Sequence, residues 1–165
     1  MKCKTAFIYS EKYSLYNFGS NHPFKPYRWN LTLNILKNLN VFKMNNVKLV
    51  EVKRFNENIL ELVHTRKYIE YIKKRCKENH GYLDYGDTPA RRGVFEGCLT
   101  RVLGNIEAID LLLKDNFDHA FNFGGGLHHA GPNYASGFCV FNDIAIAVRY
   151  LQKKYGYNRI AIIDI

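Results

Sequence analysis

The clearest strand and helix patterns of the chain lie in residues 119–165, which read HAFNFGGGLHHAGPNYASGFCVFNDIAIAVRYLQKKYGYNRIAIIDI. The apolar run at 119–123 predicts a strand, and residues 142–155 predict a helix with Asn142 as its N-cap. The second apolar run, at 159–165, predicts a strand that is buried on both faces. Since a strand, a helix and a strand in this order form a βαβ unit, the sequence predicts a parallel sheet.

The residues before this stretch predict further strands and helices of the same class. Strands are predicted at 5–10 and 47–54, and helices at 26–38, 57–64, 67–76 and 95–113. Residues 57–64 and 67–76 could form one helix or two abutting helices, and Thr65 would cap the second. The polar stretch 78–93 predicts a long loop, and loops of this length tend to be functional or disordered.

The composition indicates one domain with a hydrophobic core. The chain has 165 residues, of which 47% are hydrophobic, and no apolar run approaches the length of a membrane span. Its start lacks the pattern of a signal peptide, so we expect a cytoplasmic protein without membrane contact. The four cysteines, at 3, 76, 98 and 139, have mostly apolar neighbours and predict buried free thiols in a reducing compartment.

The net charge of +9 leaves nucleic-acid binding open, but the charges are spread along the chain. Their densest group is interleaved with apolar residues on one predicted helix, which is typical of a solvated helix face. A basic nucleic-acid-binding domain therefore ranks last among the function classes.

Two adjacent histidines, His128 and His129, follow the glycine turn after the strand at 119–123. In open parallel sheets ligands bind outside the carboxyl ends of the strands, where this turn and Asp164 are both expected. A carboxylate beside an imidazole orients it for acid–base chemistry. Each feature also has a structural explanation, as a solvated histidine, a strand-ending carboxylate or a tight turn. A dinucleotide loop fits poorly, because a histidine stands where the third glycine should be.

The segment GGGLHHAGPNYASGFCVFNDIAIA, residues 124–147, resembles the active-site segment of the zinc-dependent histone deacetylase superfamily. That superfamily includes acetoin-utilization proteins and acetylpolyamine amidohydrolases. Three other stretches, YNFGSNHPFKPYRWNLT, LVHTRKYIEYIK and YGDTPARRGVFEGC, resemble the family in the right order. The resemblance covers nearly the whole chain. It implies an α/β fold with a three-layer, mostly parallel sheet of the arginase–deacetylase type, incomplete at its C-terminus.

The resemblance also implies that this enzyme family hydrolyses an N-acetyl amide, with zinc to polarise the carbonyl and activate a water. His129 matches the histidine that acts as general base and then as acid, and His128 matches its electrostatic and hydrogen-bonding neighbour. Asp164 matches a buried aspartate that pairs with the first histidine and helps to hold a monovalent cation such as potassium.

Four further residues match the substrate channel of the family. Gly137 and Phe138 match the wall of an acyl-lysine tunnel, where a phenyl face suits a methylene chain. Asp87 matches a rim carboxylate that binds backbone N–H groups of the substrate, and Arg28 matches an arginine of an internal channel. Phe138 could instead be a core residue, Arg28 a surface charge of a helix, and Asp87 a cap of the helix after Pro89.

No zinc ligand falls within the chain, because the family's ligands are expected after Ile165. The carboxylate that would partner His129 and the family's transition-state tyrosine are also absent. We therefore expect residues 1–165 to be the N-terminal portion of a single deacetylase domain that is inactive alone. The substrate could be acetyl-lysine in a protein or a small acetylated amine. The alternative is a non-catalytic acyl-lysine-binding module or a truncated remnant.

Overall fold

Three parallel strands form the sheet of the computed structural model, which describes residues 3–164. The strands are β1 (Thr5–Tyr9), β2 (Val47–Glu51) and β3 (His119–Asn122), in the order β2-β1-β3. In the register of this sheet, Thr5 lies opposite Val47 on one side and His119 on the other. The predictions of strands at 5–10, 47–54 and 119–123 and of a parallel sheet are confirmed.

Four α-helices flank the sheet, and each forms where the apolar periodicity predicts it. They are α1 (Tyr27–Asn38), α2 (Arg66–Glu78), α3 (Val94–Lys114) and α4 (Asp143–Tyr155). Short 3₁₀ helices cover Glu11–Leu15, Val41–Lys43 and Glu57–Leu62, so the alternative of two separate helices around Thr65 is correct. Both predicted caps form, since the Thr65 hydroxyl accepts from the Tyr68 N–H and the Asn142 side chain from the Ala145 N–H.

The core lies between the sheet and α3. The side chains of β1 point alternately to the two faces of the sheet, and one of these faces packs on α3. Ala6 and Ile8 are fully buried in one cluster with Val102 and Ile106 of α3. Phe7 points to the opposite face, where its ring meets that of Phe42 at 5.4 Å between centroids. Both faces of the central strand are therefore covered.

The prediction of a buried strand at 159–165 is wrong for residues 159–164, and Ile165 lies outside the described residues. Residues 156–164 have no regular secondary structure, and the side chains of Ile162 and Ile163 are 57% and 87% exposed. A strand is stable only when a neighbour satisfies its backbone and a layer covers its side chains. Within residues 3–164 this segment pairs with no strand, so its apolar pattern alone does not order it.

Two other predictions concern the cysteines and membrane contact. Cys76, Cys98 and Cys139 are buried free thiols as predicted, whereas Cys3 is exposed and the prediction is wrong there. Cys3 precedes β1, outside the layers that bury the other three. None of the helices described in residues 3–164 is long and apolar enough to cross a bilayer.

Candidate active site

The paired histidines lie at the carboxyl edge of the sheet, on the turn that follows β3. Their imidazoles contact each other, with 3.0 Å between the two Nε2 atoms and 4.1 Å between the ring centroids. The Nδ1 atom of His128 contacts the Oδ2 atom of Asp164. The structure therefore brings His128, His129 and Asp164 together in one chain of contacts.

These contacts restrict where the imidazole protons lie. If the neutral His128 donates from Nδ1 to the Asp164 carboxylate, its Nε2 atom is a lone-pair acceptor. His129 must then donate from its own Nε2 atom, which leaves its Nδ1 atom without the proton. A carboxylate at the Nδ1 atom of His129 would favour the opposite tautomer and free Nε2 to act as a base. The family resemblance implies such a carboxylate, but none contacts the Nδ1 atom of His129 within residues 3–164.

Asp164 differs from the prediction in its burial. Its side chain is 54% exposed and that of His128 is 37% exposed, whereas the resemblance implied a buried aspartate. The reason is the absence of a strand at 159–164, because Asp164 approaches the histidine on an irregular segment. Solvent therefore screens this contact in the 165-residue chain.

Gly137 packs directly on the ring of His129. A Cβ atom at position 137 would lie 2.8 Å from the Cδ2 atom of His129, and the backbone of Gly137 has φ of +54°. Glycine suits both conditions, since it lacks a Cβ atom and adopts positive φ without strain. The predicted tunnel-wall residue thus lies against the predicted general base.

Phe138, the next residue, holds a strained backbone conformation. Its φ is +67°, which a bulky side chain rarely adopts. Two hydrogen bonds fix it: its N–H donates to Thr88 Oγ1 at 3.1 Å, and its carbonyl accepts from the Tyr16 hydroxyl at 2.5 Å. The half-buried ring meets the imidazole of His22 edge-on at 4.6 Å. Strain of this kind persists only where the surroundings over-determine it, and it is commonest at functional sites.

Asp84 organises the loop that carries Asp87. Its Oδ1 atom accepts from the backbone N–H groups of Gly86, Asp87 and Thr88, at 3.1, 3.1 and 2.9 Å. Partial burial acts to raise the pKa of Asp84, but the hydrogen bonds with Asp87, Thr88 and the backbone lower it to about 2. The neighbouring Asp84 carboxyl in turn raises the pKa of Asp87, which is exposed.

A groove of about 260 Å³ separates this loop from the tunnel wall. Asp87 lies on one side of the groove, with Gly137 on the other. Asp87 does not cap α3, because the N-cap of that helix is Gly93 and has no side-chain bond. The capping alternative for Asp87 is therefore wrong.

The two arginines near this site differ in burial. Arg28 is exposed on α1 and stacks on Phe24 and Trp29, at 5.7 and 5.2 Å from the ring centroids. Arg101, which sequence reasoning missed, is 1% exposed and donates to the carbonyls of Gly124 and Tyr13 at 2.7 and 2.8 Å. A lone arginine in the apolar face of the predicted helix 95–113 was the signal that could have identified it.

Sequence reasoning also missed the buried polar groups beneath the glycine turn. Asp143 accepts from the N–H groups of Gly126 and Leu127, and Asn105 and Asn122 connect it to β3. Acidic residues are common in the first turn of a helix, so Asp143 directly after the predicted N-cap of α4 gave no distinct signal in the sequence.

The described residues do not make a zinc site. In residues 3–164 no three His, Cys, Asp or Glu side chains are placed to hold one metal ion. A protein zinc site needs about three such ligands. His128 and His129 could each supply one ligand nitrogen, but their Nε2 atoms contact each other and the Nδ1 atom of His128 contacts Asp164.

Comparison with known proteins places the chain in a family. The model of the histone deacetylase domain matches residues 22–165. Acetoin utilization protein AcuC of Bacillus subtilis (strain 168) is 39% identical over 97% of the chain, and AcuC of Staphylococcus aureus (strain COL) is 36% identical over 98%. Histone deacetylase clr6 of Schizosaccharomyces pombe is 34% identical over 99% of the chain.

The chain spans 42% of the length of each of these three relatives. The domain match covers most of the chain, and it includes the glycine turn, both histidines and the groove beside them. The chain belongs to the histone deacetylase family.

Proposed function

We propose that the whole protein is a zinc-dependent hydrolase of N-acetyl amides. The observation that carries this proposal is the contact between two imidazoles beside a groove lined by Asp87 and Gly137. In this proposal residues 1–165 are the N-terminal portion of a single deacetylase domain. The complete domain is a three-layer α/β fold of the arginase–deacetylase type.

The two histidines have different roles in the proposed reaction. His129 takes a proton from the water that attacks the acetyl carbonyl and then gives it to the departing amine nitrogen, so that acetate and a free amine form. His128 stabilises the charge that appears on its neighbour, 3.0 Å away. Asp164 fixes the tautomer of His128 and contributes to a monovalent-cation site, potassium being the candidate.

The groove residues select the substrate. Gly137 and the ring of Phe138 contact the methylene chain of an acyl-lysine or of a small acetylated amine. Asp87, exposed on the opposite side, accepts hydrogen bonds from substrate N–H groups. Arg28 lines an internal channel behind the site of the complete domain.

We expect the zinc ligands after Ile165, where the family resemblance implies them, and residues 3–164 provide no cluster of three ligands. Zinc bound there would polarise the carbonyl and acidify the water. The same observation supports one alternative, a non-catalytic module that binds acyl-lysine without metal. The zinc content of the whole protein distinguishes the two, since only the hydrolase requires a bound ion.

Acetate release tests the proposal directly. The whole protein is incubated with an acetyl-lysine peptide and, separately, with a small acetylated amine. Release of acetate from either compound in a zinc-dependent manner is expected, and the preferred compound identifies the substrate class. A zinc-loaded, folded protein that releases no acetate from any N-acetyl amide would contradict the proposal.

The 165-residue chain alone is expected to release no acetate, even with added zinc. Its histidines are in place, but the described residues bring together too few ligands for the metal. The same peptide assay measures this. Clear turnover by the chain that the substitution His129→Ala abolishes would refute it.

A further inference from the structure

The turn that carries the paired histidines is bonded to a buried carboxylate, Asp143. This side chain is fully buried at the start of α4. Its Oδ1 atom accepts from the Leu127 N–H at 2.6 Å, and its Oδ2 atom accepts from the Gly126 N–H at 3.0 Å. Burial raises the pKa of Asp143, and these N–H donors act in the opposite direction. The two donors belong to the two residues that directly precede His128.

The turn also approaches Asp143 unusually closely. A Cβ atom at Gly125 would lie 2.7 Å from the Oδ2 atom of Asp143, so only glycine lets the backbone come this near. This close approach brings the N–H groups of Gly126 and Leu127 within hydrogen-bonding distance of the carboxylate.

Asn105 and Asn122 form a hydrogen-bonded network with Asp143 that fixes the position of its carboxylate. Asn105 of α3 donates to its Oδ2 atom at 2.7 Å, and Asn122 at the end of β3 donates to Asn105 at 2.7 Å. Asn122 also accepts from the Tyr13 hydroxyl at 2.7 Å. Because each member is bonded to a different element, the network ties the turn to β3, α3 and α4 together.

The residue before Asp143 holds the other side of the histidines. The side-chain amide of Asn142 donates to the carbonyls of His128 and Ala130, at 3.1 and 3.0 Å. The side chains of Asn142 and Asp143, at the start of α4, thus hydrogen-bond the backbone immediately before His128 and on both sides of His129.

We propose that Asp143 is a positioning residue, which fixes the backbone of Gly126 and Leu127 and so holds the two imidazoles in mutual contact. The catalytic meaning of this role rests on the proposed function, but the geometric role does not. Each oxygen of the Asp143 carboxylate accepts from one backbone N–H. Asparagine has only one acceptor oxygen, so its NH₂ group would face the other N–H donor, and two donors cannot bond each other. The turn would then shift, and the 3.0 Å contact between the Nε2 atoms would be lost.

The test is the imidazole ¹⁵N spectrum of the 165-residue chain, which reports the tautomer and hydrogen bonding of each histidine. The variant is Asp143→Asn. The matched control is Asp110→Asn, because Asp110 is also a buried carboxylate, 3% exposed, but bonds Arg54, Tyr150 and Tyr155. Both variants are expected to be less stable. Only Asp143→Asn is expected to convert the signals of His128 and His129 to the averaged pattern of free imidazoles.

Wild-type signals in folded Asp143→Asn, or the same change in Asp110→Asn, would overturn the proposal. If Asp143→Asn does not fold, Asn105→Ala decides the matter, since it removes one donor to the carboxylate and keeps the carboxylate itself. A smaller change at the same two histidines supports the proposal, and unchanged signals refute it. The readout needs no hydrolysis, so its failure is distinguishable from failure of the proposed function.

Discussion

Arg101 is a buried cation that no carboxylate hydrogen-bonds among residues 3–164. Its guanidinium is instead surrounded by aromatic rings, with Cζ 4.5 Å from the centroid of Trp29 and 4.9 Å from that of Tyr16. Two carbonyls, of Gly124 and Tyr13, complete its environment, and its Nε atom has no described partner. Ring quadrupoles and carbonyl dipoles thus compensate the charge in place of an anion.

This arrangement predicts a large effect of Arg101→Met. The variant leaves the buried carbonyl of Gly124 without its donor and removes one of the donors to the Tyr13 carbonyl, which keeps the Trp29 Nε1–H and the Tyr16 N–H. It also leaves the aromatic cage without its cation, so we expect a loss of about 2–4 kcal/mol in the free energy of unfolding. The matched control is Arg28→Met, which removes an exposed arginine that stacks on the same Trp29 ring and should cost less than about 1 kcal/mol. Urea unfolding measures both. Equal losses in the two variants would show that burial of Arg101 does not matter.

His64 links the end of one helical segment to the beginning of another. Its imidazole is 2% exposed, and its Nε2 atom accepts from the backbone N–H of Asn142 at the start of α4. Burial lowers the pKa of His64 to about 4, and contacts with the backbone of Gly131 and Pro132 only partly oppose this. The buried imidazole is therefore neutral at physiological pH.

This pKa predicts that the stability depends on pH. In the unfolded chain the pKa of a histidine is about 6.5, so between pH 6.5 and 4 the unfolded state binds more protons than the folded state. The contribution of His64 is complete above pH 6.5 and is lost as the pH falls towards 4. Between pH 6.5 and pH 5 we expect a decrease of about 2 kcal/mol in the free energy of unfolding, as measured with urea.

The variant His64→Gln separates this histidine from the other five. It should be less stable than the wild type at pH 7 but should lose much less stability between pH 6.5 and pH 5. The control His119→Gln changes an exposed histidine of β3 and should keep the wild-type pH dependence. A wild-type pH dependence in His64→Gln would contradict the assignment.

The elements that the sequence predicts correctly are those whose signals are local. In α4 the cap at Asn142 and the apolar periodicity lie within the helix itself, and α3 buries almost all of its apolar stripe. The segment 159–164 has an equally clear apolar pattern but forms no strand, because strand formation also requires a partner and a cover. Local pattern thus predicts a helix better than it predicts a strand.

The candidate site likewise contains residues that the sequence reveals and residues that only the packing of separate elements brings together. The adjacent histidines after the glycines can be recognised in the sequence. In the structure His128 contacts both His129 and Asp164. Arg101 and Asn105 lie on α3 and Asp143 lies on α4, and only the packing of α3 against α4 and the turn brings them together. No spacing along the chain encodes that network, which is why sequence reasoning missed it.

The arrangement of the sheet leaves apolar side chains in solvent. β3 is at the edge of the sheet in the order β2-β1-β3, and the ring of Phe121 on it is 51% exposed. Ile162 and Ile163 add two more exposed apolar side chains on the segment that returns to His128. An uncovered strand edge with apolar neighbours favours association between chains.

We therefore expect the 165-residue chain to self-associate as its concentration rises through the micromolar range. Sedimentation velocity measures this. The double substitution of Ile162 and Ile163 by lysine should reduce association, whereas the same change at Leu31 and Ile35, exposed on α1, should not. A chain that stays monomeric over this range would contradict the expectation.

In the proposed reaction, His129 transfers the proton during hydrolysis of an N-acetyl amide. The most direct measurement is kcat/KM for acetate release by the whole protein, compared between His129→Ala and the control His119→Ala. We predict a loss of about 100-fold or more for His129→Ala and wild-type activity for His119→Ala, because only the first histidine lies in the contact with His128. Undiminished acetate release by folded His129→Ala would contradict the claim.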